Sequence, residues 1–106
     1  MWNRVERTQV AAPPGRVWQV LRELHADAHV ERGVEARELA WTATSDDGTE
    51  LRWWFRLDPS WQGTQVEHGC RPARSTEGDG DVASRDAVRA ALVRTLREVK
   101  ARAEQV

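Results

Sequence analysis

The clearest strand in this sequence is LRWWFRLD, residues 51–58. Large apolar side chains alternate there with mostly charged ones, which is the period of two that a strand requires. One face carries Leu51, Trp53, Phe55 and Leu57, and the other carries Arg52, Trp54, Arg56 and Asp58. The alternation predicts a β-strand that turns its first face to the core.

Two runs that flank this strand have the same character. Residues 39–43 alternate before the turn sequence SDDG. Residues 64–70 follow the turn sequence PSWQG and carry Val66, His68 and Cys70 on one face. Because the connections are short, we expect the three runs to form an antiparallel meander.

Two other segments have helical spacing. After a first strand predicted over residues 3–11, the sequence APPG opens a helix whose apolar stripe consists of Val17, Val20, Leu21 and Leu24. Residues 25–33 are polar and predict the end of this helix or one further short turn, before a strand pattern begins at Val34. A final helix, capped by Ser84, has an apolar stripe of Val88, Leu92, Leu96, Val99 and Ala103. A long amphipathic helix of this kind must lie across a sheet.

The 106 residues carry a net charge of −1 and predict a single small domain, residues 1–106. Fifteen of the sixteen basic residues are Arg, a usage typical of a GC-rich bacterial genome. The charge balance argues against nucleic acid as a partner. No apolar run reaches the roughly 18 residues of a membrane span, and none follows Met1 as in a signal peptide, so we expect a cytoplasmic protein. Residues 72–83, rich in Gly, Asp and Ser, are expected to form a mobile loop.

Several local motifs occur in the same order as in a known superfamily. VAAPPGRVWQVL, residues 10–21, resembles the opening of the START-like (SRPBCC) superfamily of polyketide cyclase/dehydrase and lipid-transport proteins. ELAW, WWFRL and GTQV, which begin at residues 38, 53 and 63, are similar to its later strands. The resemblance implies an α+β helix-grip fold of the order β-α-β-β-β-α. About four antiparallel strands would carry the long C-terminal helix across them.

The chain is shorter than this family usually is, and the missing stretch lies between the first helix and the strand of Trp41. The four remaining strands would still form one sheet, in which the first strand pairs with the last. Both edges of such a sheet would be open, and exposed edges invite pairing. We therefore expect a homodimer.

The resemblance also implies a cavity between the sheet and the C-terminal helix. The residues expected to line it are Trp41, Trp53, Phe55, Val66, His68, Leu92 and Leu96. Indole and phenyl rings suit flat or apolar ligands, so the expected partner is a hydrophobic or aromatic small molecule, with no cofactor. A first alternative is that Trp41 and Trp53 are simply core. A second is a non-catalytic homodimeric interaction module whose tryptophan-rich face is a protein–protein surface, with Trp54 or Trp61 marking a subunit contact.

Few residues offer catalytic chemistry. His68 is a candidate general acid or base, although the sequence supplies no obvious acidic partner, and a cyclase or dehydratase activity is implied only by the resemblance. Cys70 lacks an activating group and is expected to be inert. His25 and His29 are spaced to share a helix face, but polar residues are ordinary at a helix end, so no metal site is predicted.

Overall fold

The computed structural model describes residues 3–26, 30–44, 48–73 and 82–105. The elements are β1 (Arg4–Val10), α1 (Pro14–Leu24), β2 (Val30–Val34), β3 (Glu38–Thr44), β4 (Glu50–Ser60), β5 (Gly63–Pro72) and α2 (Val82–Ala103). The strands form one antiparallel sheet in the order β1-β5-β4-β3-β2. The meander, the pairing of the first strand with the last and the α+β helix-grip arrangement are as the sequence predicts.

The strand count differs from the prediction, because the sheet has five strands and not four. The additional strand β2, VERGV, pairs with β3 along the open edge, and its register shifts between Val30 and Arg32. The prediction of a helix end or turn was therefore wrong for residues 30–33. Edge strands are commonly short, charged and irregular, so their sequences lack the alternation that reveals a strand buried on one face.

The helix ends follow local chemistry. Pro14 opens α1 after an extended Pro13, and the His25 amide donates to the Leu21 carbonyl at 3.0 Å where the helix ends. Helix α2 begins at Val82, two residues before the predicted cap, so Ser84 lies in its first turn. Most of the loop predicted to be mobile, residues 74–81, lies outside the described residues.

The core lies between the inner face of the sheet and the two helices. Its buried members are Val10, Ala12, Val17, Val20, Leu21, Leu39, Trp41, Phe55, Leu57, Val66, Leu96, Val99 and Ala103. Helix α2 lies over β1 and β5, and α1 packs against α2, β4 and β5. Burial of each large apolar side chain contributes about 1.5–3 kcal/mol. Among the described residues, no helix combines the length and apolarity needed to cross a membrane.

The outer face of the sheet carries a row of alternating charges. Arg56 lies 3.8 Å from Glu38 and 3.7 Å from Glu67, and Arg7 lies 3.0 Å from Glu67. Beside this row, the Trp54 indole lies over Gly69 and donates to Glu67 Oε2 at 3.2 Å. The neighbouring strand therefore covers part of the Trp54 ring, which is half-buried.

The C-terminal turn of α2 is fixed to the end of β1. Lys100 Nζ donates to the Gln9 carbonyl at 2.7 Å, and the Ala11 amide donates to Glu104 Oε2 at 2.8 Å. Lys100 and Glu104 also pair with each other at 2.6 Å. The Ala11 amide and the Lys100 ammonium lower the pKa of the Glu104 carboxyl. These contacts set where α2 crosses the sheet.

The β4–β5 hairpin contacts the same corner. Gly63 has a φ of 132°, and a Cβ at this position would overlap the Val10 carbonyl oxygen and the Ala12 amide nitrogen. The buried Thr64 hydroxyl donates to the Ala12 carbonyl at 2.7 Å. Only glycine permits so close an approach of two backbones.

We expect Gly63→Ala to lower the free energy of unfolding by about 2 kcal/mol or more, because it adds backbone overlap to an unfavourable φ. Gly48→Ala is the matched control, since Gly48 also has a positive φ, of 85°, but a Cβ there has no neighbour within 4 Å. The control should lose about 1 kcal/mol. Urea unfolding measures both, and equal losses would contradict the role of the close approach.

Candidate functional site

The seven residues predicted to line a cavity come together on the inner side of the sheet. Cross-strand register pairs Trp41 with Trp53 and Phe55 with His68. Val66 lies on the same face, and Leu92 and Leu96 are buried against it from α2. All except the half-buried Trp53 are buried. They pack as core, and their role as a ligand site stays a prediction.

Five of the rings in this region form a continuous aromatic cluster: His25, Trp41, Trp53, Phe55 and His68. The Phe55 and His68 rings are parallel within 3°, with centroids 3.8 Å apart. Trp41 lies 5.8 Å from Phe55, and Trp53 lies 6.0 Å from His68. Contacts of this kind stabilise a core beyond the area that they bury.

Sequence reasoning missed His25 as a member of the cluster. Its ring lies 4.6 Å from Trp41 and 5.5 Å from Phe55. Because His25 follows Leu21 by four residues, it continues the apolar stripe of α1, and this spacing was the available signal. The spacing of His25 and His29 predicts a shared helix face instead, but His29 lies outside the described residues. Within the described part of the chain, no group of three His, Cys, Asp or Glu residues is arranged to hold a metal.

His25 Nε2 is buried and has no hydrogen-bond partner among the described residues. Burial lowers the pKa of this imidazole, and the Glu98 carboxylate on α2 opposes that shift in part. The ring is therefore neutral at pH 7.

His68 is also a buried neutral histidine, with 2% of its surface exposed. Its Nδ1 lies 2.8 Å from the Trp54 carbonyl oxygen, and since a carbonyl only accepts, Nδ1 carries the proton. Burial lowers the pKa of His68 to about 4, although the hydrogen bond to the Trp54 carbonyl opposes that shift. Once His25 is protonated in acid, its charge acts in the same direction as burial. Any acid–base chemistry would use Nε2, and a catalytic role stays a prediction.

Cys70 lies beside this region, fully buried with Val88 and Leu92. Burial raises the pKa of its thiol to about 12. Because the thiolate is the reactive form, Cys70 is a poor nucleophile at neutral pH.

The cluster reaches the surface at Trp53. This ring packs against the main core and also against the smaller group of Cys70, Val88 and Leu92. Since α2 lies over β1 and β5, Leu51 and Trp53 on β4 stay half-exposed beside the helix.

A separate cleft lies at the other end of the sheet, around the turn between β4 and β5. It has a volume of about 410 Å³ and is lined by residues 11–14 and 59–63. None of the seven predicted residues lines it. One of its lining residues, Trp61, has 92% of its surface accessible.

The low pKa of His68 makes the fold sensitive to acid. The unfolded chain takes up a proton below pH 6.5, whereas folded His68 stays neutral down to about pH 4. The free energy of unfolding should therefore fall as the pH drops through this window, by up to about 1.4 kcal/mol per unit for one proton. His68→Gln keeps a donor for the Trp54 carbonyl and should flatten the slope, leaving the part due to His25. Urea unfolding from pH 7 to pH 5 measures it, and an unchanged slope would contradict a buried neutral His68.

No family model matches this sequence, and no curated protein is significantly similar to it. Solved structures are similar in fold. Protein MLL2253 from Mesorhizobium loti is 14% identical, with a TM-score of 0.74 over 93% of this chain and 94% of that one. The Aha1 dimer from Colwellia psychrerythraea is 16% identical, with a TM-score of 0.62 over 99% of this chain and 100% of that one.

A polyketide cyclase-like protein from Corynebacterium glutamicum has a TM-score of 0.58 at 13% identity, over 97% of this chain and 89% of that one. Identities this low report the fold alone, and the fold agrees with the strand order and the crossing of α2. The chain therefore has the START-like, SRPBCC-type fold that its motifs resemble.

Proposed function

We propose that this protein binds a small hydrophobic or aromatic molecule between the sheet and α2. The observation that carries the proposal is the continuity of the aromatic cluster. It runs from the buried stack of Phe55 and His68 to the partly exposed ring of Trp53. A ligand that approaches from solvent can stack on Trp53 and contact the neighbouring apolar side chain of Leu51.

The cluster favours an uncharged ligand. Both of its imidazoles have a lowered pKa and are neutral at pH 7. The neighbouring Leu51, Val88 and Leu92 are aliphatic. Burying a charged group among them would cost several kcal/mol. A flat aromatic skeleton fits best, in line with the polyketide cyclase-like neighbour, and the proposal is limited to binding.

Replacing Trp53 tests this site. The uncharged fluorophore N-phenyl-1-naphthylamine should bind the wild type saturably, and Trp53→Ala should weaken binding roughly tenfold, because a stacking surface is lost. Trp61→Phe is the control, since it removes an indole that is exposed and outside the cluster. Near-ultraviolet circular dichroism checks that the variants are folded. Absence of saturable binding, or equal loss in both variants, would refute the proposal.

A second proposal concerns self-association. Trp61 is a large exposed ring beside a cleft lined by Ala12, Pro13 and Pro14, so one surface carries both a protruding group and a recess. A two-fold axis would bring each Trp61 to the partner's cleft, which makes the patch self-complementary. The Aha1 neighbour, 16% identical, is a dimer, which supports self-association and leaves the choice of surface to the geometry of this chain.

Light scattering on the purified protein tests the dimer. The wild type should scatter as a dimer at high micromolar concentration, and Trp61→Ser should scatter as a monomer, because the protruding ring is lost. Gln62→Ser is the control, since it changes an exposed polar residue of the same turn. A monomeric wild type would exclude this interface.

A further inference from the structure

His25 brings a buried ring nitrogen with an unmet hydrogen bond into the aromatic cluster. Its Nε2 is shielded from solvent and meets no hydrogen-bond partner in the described part of the chain. A buried polar atom without a partner costs about 1–3 kcal/mol. Folded proteins rarely keep such atoms, and one that persists calls for a specific explanation.

We infer that His25 orients the bound ligand through a hydrogen bond between its Nε2 and a ligand hydroxyl, an inference that rests on the proposed function. The ligand class is then a planar aromatic molecule that carries a phenolic or enolic hydroxyl. A bare hydrocarbon of the same shape would leave the nitrogen unpaired.

The position of His25 prepares it for this role. The backbone is fixed at the end of α1, where the His25 amide donates to the Leu21 carbonyl at 3.0 Å. The imidazole lies against Trp41 and Phe55, whose rings are 4.6 and 5.5 Å away. A ligand that stacks within the cluster would find a polar atom at its edge whose direction is already set. Such preorganisation reduces the entropy lost on binding.

The surrounding charges select a hydroxyl over an ionised group. Glu98 of α2 is the carboxylate that acts on His25, and it is itself paired with Arg102 at 2.9 Å. An anionic ligand would be repelled by Glu98, and a cationic one would lose its hydration among apolar rings. A hydroxyl both donates and accepts, so it can pair with either tautomer of the neutral imidazole.

A purely structural role makes different predictions. If His25 only closes the end of α1 over Trp41, a phenyl ring would do the same without an unpaired nitrogen. His25→Phe would then stabilise the fold and leave ligand preference unchanged. Preference between two ligands of the same shape therefore separates the two roles.

The experiment compares 2-naphthol with naphthalene at pH 7, by quenching of tryptophan emission, in the wild type and in His25→Phe. The wild type should prefer 2-naphthol about fivefold to tenfold, the gain from one satisfied hydrogen bond. The variant should bind both with similar affinity. A preference that survives in the variant, or a wild type that binds both ligands equally, overturns the inference and leaves the proposed function intact.

Nitrogen NMR of the wild type provides a second readout that needs no variant. Addition of 2-naphthol should shift the His25 Nε2 resonance, and naphthalene should leave it nearly unchanged. An Nε2 resonance that responds equally to both ligands also overturns the inference. If neither ligand binds the wild type, the proposed function fails, and the role of His25 fails with it.

Discussion

The antiparallel pairing of β1 with β5 is the constraint on which the other contacts depend. It joins the two ends of the fold, since β1 leads into α1 and β5 precedes α2. Both helices are thereby brought to one face of the sheet. The pairing ends at a corner where Gly63 approaches the Val10 carbonyl and Thr64 donates to the Ala12 carbonyl. Lys100 and Glu104 then hold the end of α2 to that corner.

This closure also determines where the aromatic cluster is accessible. With α2 held over β1 and β5, the inner faces of β3 and β4 need other cover. Trp41 receives it from His25 at the end of α1, whereas Trp53 stays half-exposed. A position of α2 nearer to β4 would bury Trp53, and the cluster would then be core alone. The open side of the aromatic cluster is therefore a consequence of the corner at the far end of the helix.

The sequence predicts the features that alternation and helical spacing encode. The faces of residues 51–58, the inward position of His68 and the first-to-last strand pairing follow from pattern and motif. Strand β2 does not, because its five residues, VERGV, are too short and polar to show a clear alternation. The contact of His25 with Trp41 escapes prediction for another reason: it joins a helix end to a strand whose relative position depends on tertiary packing.

The two histidines of the cluster differ in how their ring nitrogens are paired. His68 donates a hydrogen bond from Nδ1 to the Trp54 carbonyl and stacks flat on Phe55. Burial in this position disfavours the protonated form of its imidazole. His25 also lies against Trp41 and Phe55, but its Nε2 has no hydrogen-bond partner in the described part of the chain, a cost that a phenylalanine would avoid. Where a local choice works against the stability of its surroundings, the compensating gain is commonly functional. In a chain of 106 residues, whose stability margin is narrow, a cost of this kind is difficult to carry without such a gain.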